Sequence, residues 1–269
     1  MQTGCISFCD KESLNIKSND TKKEIMSKLE MYGIKMMNNF DRFNENIIQR
    51  ISNNPHLISI KSNGNPYTLF MTNSYDTDLC ILSDKKVQQG YFLPRMIIVN
   101  LMNFSKDLFK DTLFDGEMVK DLDDNWIFII NDIMIYKGQR LDNMNLIKRL
   151  NIIHDVFQKS YTPIPNQKFH FQIKKYFKTS EIDDLVSFKD KLKYTSRGIV
   201  FKPMFLKFKD ILYNFDDSLI DNTKKIKYSI ENKFIDEQIS HNKVIENKST
   251  SKNENNVTGG SSNEKYTLP

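Results

Sequence analysis

Ile58-Ser59-Ile60-Lys61-Ser62-Asn63-Gly64-Asn65-Pro66-Tyr67 places a lysine where an alternating apolar run meets a turn. Alternation with a period of two reads as a β-strand, and Asn-Gly is a strong tight-turn dipeptide. Two readings stand side by side: a hairpin preceded by a solvated lysine, or a strand that delivers a lysine into a site. A lysine with its ordinary pKa near 10.4 is neutral in only about one part in 2,500 at pH 7. Lowering that pKa by roughly three units makes about a quarter of it nucleophilic. The second reading therefore needs burial or neighbouring cations.

Candidate neighbours lie downstream. Phe205-Leu206-Lys207-Phe208-Lys209 alternates lysines with apolar residues, so as a strand it projects Lys207 and Lys209 to one side. Before it, Ser196-Arg197-Gly198-Ile199-Val200-Phe201-Lys202-Pro203 reads as a β-branched strand that opens on Arg197 and closes on Lys202. Taken singly, both are also ordinary amphipathic strands with solvated lysines. Thr112-Leu113-Phe114-Asp115-Gly116-Glu117-Met118-Val119 carries two carboxylates separated by one glycine. Asp115 and Glu117 then form either an acidic turn or a pair facing one pocket, suited to a divalent cation or a sugar hydroxyl. In Ile127-Phe128-Ile129-Ile130-Asn131-Asp132-Ile133-Met134-Ile135-Tyr136, the carboxylate of Asp132 is embedded in a long apolar strand. Such a group is costly unless it is paired, hydrated by a site, or placed at an edge or turn.

Working outward from these pieces, short β-type runs recur at Leu57–Ile60, Tyr67–Thr72, Asp78–Leu82, Thr112–Phe114, Trp126–Tyr136, Phe169–Phe177, Ile199–Lys202 and Phe205–Phe208. Helical spacing marks Arg95–Phe109 and Asn143–Gln158, the second stopped by Pro163. Strands and helices without regular βαβ alternation predict an α+β fold, with mixed, mostly antiparallel sheets and flanking helices. Thr21–Asn53 spaces Ile25, Leu29, Met36, Phe40 and Ile47 as amphipathic helices broken near Gly33, so residues 1–53 read as an N-terminal helical flank. Residues 54–239 hold the core, and 240–269, poor in large apolar residues, read as a disordered tail.

Composition narrows the function. The 269 residues include 39 Lys+Arg against 34 Asp+Glu, and a net +5 falls far below the excess that argues nucleic-acid binding by itself. No run approaches the roughly 18 apolar residues of a membrane span, so no membrane association is expected. Three cysteines and an opening without a secretory pattern predict a reducing, cytoplasmic setting. Neither Gly-x-x-x-x-Gly-Lys-Ser/Thr nor Gly-x-Gly-x-x-Gly occurs, so phosphate chemistry falls to side chains. His56, His154, His170 and His241 lack ligand spacing for zinc.

In their order along the chain, these pieces resemble the covalent nucleotidyltransferase superfamily, which comprises mRNA capping guanylyltransferases and polynucleotide ligases. Lys61-Ser62-Asn63-Gly64 resembles its Lys-x-Asp-Gly motif, and Phe114-Asp115-Gly116-Glu117 its Asp-Gly-Glu motif. Trp126–Tyr136 resembles the strand that follows, and the helix Leu146–Phe157 one that capping enzymes carry. Gly198–Pro203 and Leu206–Lys209 resemble the last two core motifs. Lys-Pro at 202–203, Leu-Lys-Phe-Lys at 206–209 and Pro66 are closest to capping enzymes, Pro66 to those of large DNA viruses.

The resemblance implies an ATP-grasp-like nucleotidyltransferase core. It also implies transfer of GMP from GTP, through a lysyl-GMP intermediate on Lys61, to a 5′-diphosphate RNA end. In that scheme Lys207 and Lys209 contact the α-phosphate with Lys202 nearby, and Arg197 meets a phosphate. Glu117 and Asp115 hold ribose or Mg²⁺ (or Mn²⁺), and Asp132 supports the pocket. Departures are Asn63, Pro66, Arg197 and Asn131, each lowering negative charge, ribose contact or stacking area. The OB-fold domain of the family is not evident, so a separate OB-fold, triphosphatase or methyltransferase chain is an expected partner. The alternatives are a noncatalytic RNA-end-binding or scaffold module and an ATP-dependent RNA ligase.

Overall fold

A computed structural model describes residues 1–36, 40–74, 76–100 and 103–215. The expected tail at 240–269, and the expected core beyond residue 215, lie outside the described residues.

The chain opens with a hairpin, β1 (Thr3–Phe8) and β2 (Lys11–Ile16), where a helical flank was expected. Its two-residue turn holds Cys9 and Asp10 at φ 51° and 59°. This is the backbone that right-twisted hairpins require, but it is usually announced by Asn-Gly or Asp-Gly, so Cys-Asp gave no turn signal. Helix α1 (Asn19–Met31) then forms as expected, capped by the Ser18 hydroxyl accepting from the Thr21 N–H at 3.2 Å. It stops at Gly33, φ +65°, with Gly33 N–H donating to Glu30 O and Ile34 N–H to Leu29 O. That pairing of two orphan carbonyls is the common glycine-terminated helix end.

The remaining elements are β3 (Asp41–Arg42), α2 (Glu45–Asn53), β4 (His56–Ser62), β5 (Asn65–Ser74), β6 (Thr77–Asp84), β7 (Met96–Val99), β8 (Thr112–Lys120), β9 (Trp126–Tyr136), β10 (Gln139–Arg140), α3 (Leu146–Lys159), β11 (His170–Ile173), β12 (Phe177–Lys178), α4 (Ile182–Lys189), β13 (Ser196–Pro203) and β14 (Ile211–Asn214). They build two sheets. The larger runs β1-β2-β7-β6-β5-β8-β9-β10, with β11 added parallel to β9; the smaller runs β12-β4-β13-β14-β3. Pairing is antiparallel throughout except β11 with β9 and β3 with β14, so the fold is α+β with mixed, mostly antiparallel sheets.

The larger sheet is covered on both faces. Phe70, Ile81, Leu113 and Ile135 pack with Ile25 and Leu29 of α1, while Leu69, Phe114, Phe128 and Ile130 pack with Ile153 and Val156 of α3. The smaller sheet uses alternation instead. Ile58, Ile60 and Ile199 face Leu185 of α4, leaving Ser59, Lys61, Val200 and Lys202 to the opposite side.

Asn63–Gly64 does not close a hairpin. β4 pairs with β12 and β13, whereas β5 pairs with β6 and β8, so the turn carries the chain from the smaller sheet to the larger. Asn63 N–H donates to Thr195 O at 3.0 Å, and the Ser62 hydroxyl accepts from Gly64 N–H at 3.1 Å. A Cβ on Gly64 would lie 2.7 Å from the Met118 carbonyl oxygen, so only glycine lets the crossing chain run this close to β8.

Three other expectations are corrected. The helix expected over Arg95–Phe109 is reduced to a short 3-10 turn at Lys106–Phe109: Met96–Val99 is a central strand between β2 and β6, and its crowded apolar residues reflect burial on two faces. Phe169–Phe177 is two strands in different sheets. Phe205–Phe208 is a turn, closed by Phe208 N–H donating to Phe205 O at 3.3 Å. The chain bends there because the N-terminus of α3 captures Met204 O through the Leu146 N–H at 2.8 Å.

Gly198 sets the pairing of β13 with β14, since a Cβ there would lie 2.1 Å from Tyr213 O. Gly198→Ala is expected to cost about 1–3 kcal/mol of stability, the range for overpacking. Urea unfolding measures it; an unchanged midpoint would show that β14 is free to shift.

Candidate active site

The side chains left facing away from α4 meet the larger sheet across a cleft that encloses about 190 Å³. The smaller sheet contributes Lys61 and Lys202, β8 contributes Asp115 and Glu117, β9 contributes Asp132, and Lys174 comes from the link between β11 and β12. Two β-bulges shape it. Opposite β8, residue 131 is the extra residue between Asp132, paired with Asp115, and Ile130, paired with Gly116. The bulge breaks the period of two, so Asn131 and Asp132 both line the cleft although they are adjacent. The second lies in β13, where Arg197 is the extra residue between Ser196, opposite Ser62, and Gly198, opposite Lys61.

Lys61 is buried, 4% exposed, and not solvated. Its Nζ donates to Glu117 Oε2, and Lys174 Nζ donates to Glu117 Oε1, so one fully buried carboxylate is shared by two ammonium groups. With both lysines protonated the cluster carries one uncompensated positive charge in a dry setting. Releasing one proton neutralises it. Burial pushes the Lys61 amine down to about 8; Glu117 opposes the shift, and the positive charges of Lys174 and Arg197 add to it. Burial alone would raise the Glu117 carboxyl, but the two ammonium groups outweigh it and hold it down at about 2. The cleft thus keeps its carboxylate ionised and puts the strain on a lysine.

Asp132 is neither at an edge nor solvated. The guanidinium of Arg149 grips it as a fork, Nε to Oδ1 at 2.8 Å and Nη2 to Oδ2 at 2.9 Å, with both side chains sealed from water. Arg149 Nη1 also donates to Met204 O at 3.1 Å, tying α3 to the turn after β13. Lys202 lies 3.4 Å from Asp132 and 3.1 Å from Asp210. Burial works against the charge on Lys202, but Asp210 and Asp132 override it and push its pKa far up, so Lys202 is a fixed cation. Tyr176, half-buried on the cleft wall, is raised well above the ordinary phenol, chiefly by desolvation, and stays neutral.

Lys207 and Lys209 are not the companions of Lys61. The turn at 205–208 removes the alternation that was to align them. Lys207 is exposed and lies over the Phe208 ring, 5.0 Å from its centroid. Lys209 lines the outer cleft, 61% exposed, and faces Asp41 at 3.9 Å.

The carboxylates expected to hold a metal are already engaged by cations: Glu117 by Lys61 and Lys174, Asp115 by Lys85. Among the described residues no three His, Cys, Asp or Glu converge. A cation held by protein oxygens alone therefore does not fit Glu117. Asp115, with a single lysine partner, can offer one oxygen to an ion that arrives on phosphates.

Lys174, Lys85 and Arg149 were not singled out from the sequence as site residues. Lys174 follows an apolar strand as Lys61 does, and Arg149 lies on the apolar stripe of α3 between Leu146 and Ile153, so a charge on a buried face was the available signal. Lys85 had none, because a loop lysine after a strand is ordinary.

Arg149→Met leaves Asp132 with Lys202 alone and is expected to cost about 3 kcal/mol, as when one partner of a buried pair is removed. Combining it with Asp132→Leu restores much of the loss. Thermal and urea unfolding of the single and double variants test this, and equal losses in both would break the assignment.

Residues 40–249 match the family described as mRNA capping enzyme, catalytic domain. The match spans well over half of the chain. It includes Lys61, Asp115, Glu117, Asp132, Lys174 and Lys202, and begins after the N-terminal hairpin and α1.

Proposed function

The chain belongs to the mRNA capping enzyme catalytic-domain family, and on that premise we propose that it moves GMP from GTP to a 5′-diphosphate RNA end through a covalent bond to Lys61. The observation that carries this reading is the buried lysine whose carboxylate partner is shared with a second ammonium. Guanylyltransferase-like chemistry needs an amine that is neutral near physiological pH, and this cluster favours loss of one proton.

Lys61 Nζ attacks the α-phosphorus, an N–P bond forms, the α–β bridging P–O bond breaks, and pyrophosphate leaves with the bonding electrons. The amine passes its remaining surplus proton to solvent. As the Lys61 charge disappears, Glu117 keeps Lys174 as its partner, so no carboxylate is left unpaired in the dry cleft. Lys202, held protonated, and Arg197, at the bulge beside Lys61, supply positive charge for the phosphate oxygens. Asp115 would offer one oxygen to Mg²⁺ or Mn²⁺, and such an ion would supply further neutralisation of that charge. In the second half, an oxygen of the RNA 5′-diphosphate attacks the same phosphorus and Lys61 leaves, taking up a proton.

Mass spectrometry after incubation with GTP and Mg²⁺ is expected to show a GMP adduct, alkali-stable and acid-labile as an N–P bond is, that Lys61→Ala abolishes. An AMP adduct formed from ATP, with none from GTP, would indicate a ligase. Steeply salt-dependent RNA binding with no adduct from either nucleotide would indicate a binding module.

The rate of adduct formation is expected to rise as pH passes through about 8, because the neutral amine is the nucleophile, and to level off above it. Lys174→Gln removes a cation that depresses Lys61 and leaves Glu117 to Lys61 alone, so the midpoint should move up by roughly one unit. A midpoint that stays in place would separate Lys174 from activation of the nucleophile.

A further inference from the structure

Beyond the cleft, the most exposed aromatic side chain among the described residues is Phe92, 99% exposed, beside Tyr91 at 66% and near Val87 at 47%. All three lie on the loop between β6 and β7. The loop is closed at its base: Asp84 N–H donates to Arg95 O at 2.9 Å, and Arg95 donates to the Tyr67 hydroxyl at 2.6 Å. Its first residue, Lys85, hydrogen-bonds through its N–H to Pro66 O at 3.1 Å and sends its ammonium to Asp115. Lys85, Pro66 and Asp115 all line the cleft, so the loop is rooted on the cleft rim. Segment 85–95 carries Lys85, Lys86 and Arg95 and no acidic residue. Gly90, at φ +85° with nothing within 4 Å of a Cβ, turns the tip into open surroundings.

Large apolar rings fully in water are costly on a soluble surface unless something covers them. Here the rings sit in a purely cationic segment. Aromatics interleaved with basic residues are the chemistry that holds single-stranded nucleic acid, rings stacking on bases and cations tracking phosphates. Two of the three cations are already engaged, Lys85 by Asp115 and Arg95 by Asp84 at 3.6 Å, so Lys86, exposed, is the cation the loop holds out beside the rings.

We propose that the 85–95 loop is the platform for the acceptor RNA, with Tyr91 and Phe92 stacking on the first unpaired bases and Lys86 meeting the backbone. This deepens the function proposed above and rests on it for the identity of the RNA. Stacking is indifferent to base identity, so the loop accepts 5′ ends of any sequence and rejects ends that are already paired.

The test uses the full chain and a 5′-diphosphate decanucleotide RNA labelled with fluorescein at its 3′ end, read by anisotropy. The Tyr91→Ala/Phe92→Ala double variant is expected to bind roughly tenfold more weakly while forming the GTP adduct as before. Lys86→Ala should reduce the slope of log affinity against log salt by about 0.7. Phe92→Trp should retain binding, and its added indole emission, against the chain's one native tryptophan, should be quenched by RNA. Unchanged affinity in the double variant, or unquenched indole emission, overturns the proposal and leaves the rings to a protein partner. If the wild-type chain forms no adduct yet its RNA binding still depends on the rings, the nucleotidyl-transfer reading fails and the platform stands.

Discussion

A single carboxylate divided between two buried ammonium groups is the constraint on which the cleft depends. Glu117 comes from the larger sheet, Lys61 from the smaller, and Lys174 from the chain that passes between them. Three ionised groups out of water are tolerated only if their charges nearly cancel, and here they fall one short. Protonating Glu117 would worsen the imbalance by removing the one anion, whereas deprotonating a lysine cancels it. The arrangement therefore selects an amine, not an acid, as the group that gives way near neutral pH.

The second ionic cluster does the opposite. Asp132 and Asp210 together outnumber Lys202, and Arg149 completes the balance around Asp132, so Lys202 has every reason to stay charged. Two lysines on neighbouring strands of one sheet, Lys61 on β4 and Lys202 on β13, thus differ in proton affinity because one faces a shortage of carboxylates and the other a surplus. The bulge at Asn131 contributes, since it lets β9 present both Asn131 and Asp132 to the cleft, where a regular period of two would send one of them elsewhere.

Much of this was legible from residue patterns. Trp126–Tyr136 has the ends that its apolar run predicted, alternation put Lys61 on the side away from Ile58 and Ile60, and Asp132 stood out as a carboxylate that needed a partner, a hydrated site or an edge, of which the structure supplies the partner. What failed was long-range. Whether β4 and β5 pair depends on where β8 and β13 lie, and a local Asn-Gly signal cannot report that. The turn at 205–208 follows from a carbonyl captured by α3, far away in sequence, so the lysine alternation there was real but not a strand's. Lys174 escaped because one apolar run turned out to serve two sheets, and its lysine sits at the changeover.

The crossover at Asn63–Gly64 means that Lys61 and Glu117 belong to separate layers, and their contact is a rivet between those layers. Any chemistry that caps the amine removes one of the rivet's two arms, while Lys174 keeps the other. The occupancy of a single nitrogen is thereby converted into the tightness with which the two halves are clamped. On the function proposed above, a chain carrying a nucleotide on Lys61 would be held less tightly at its centre than an empty one.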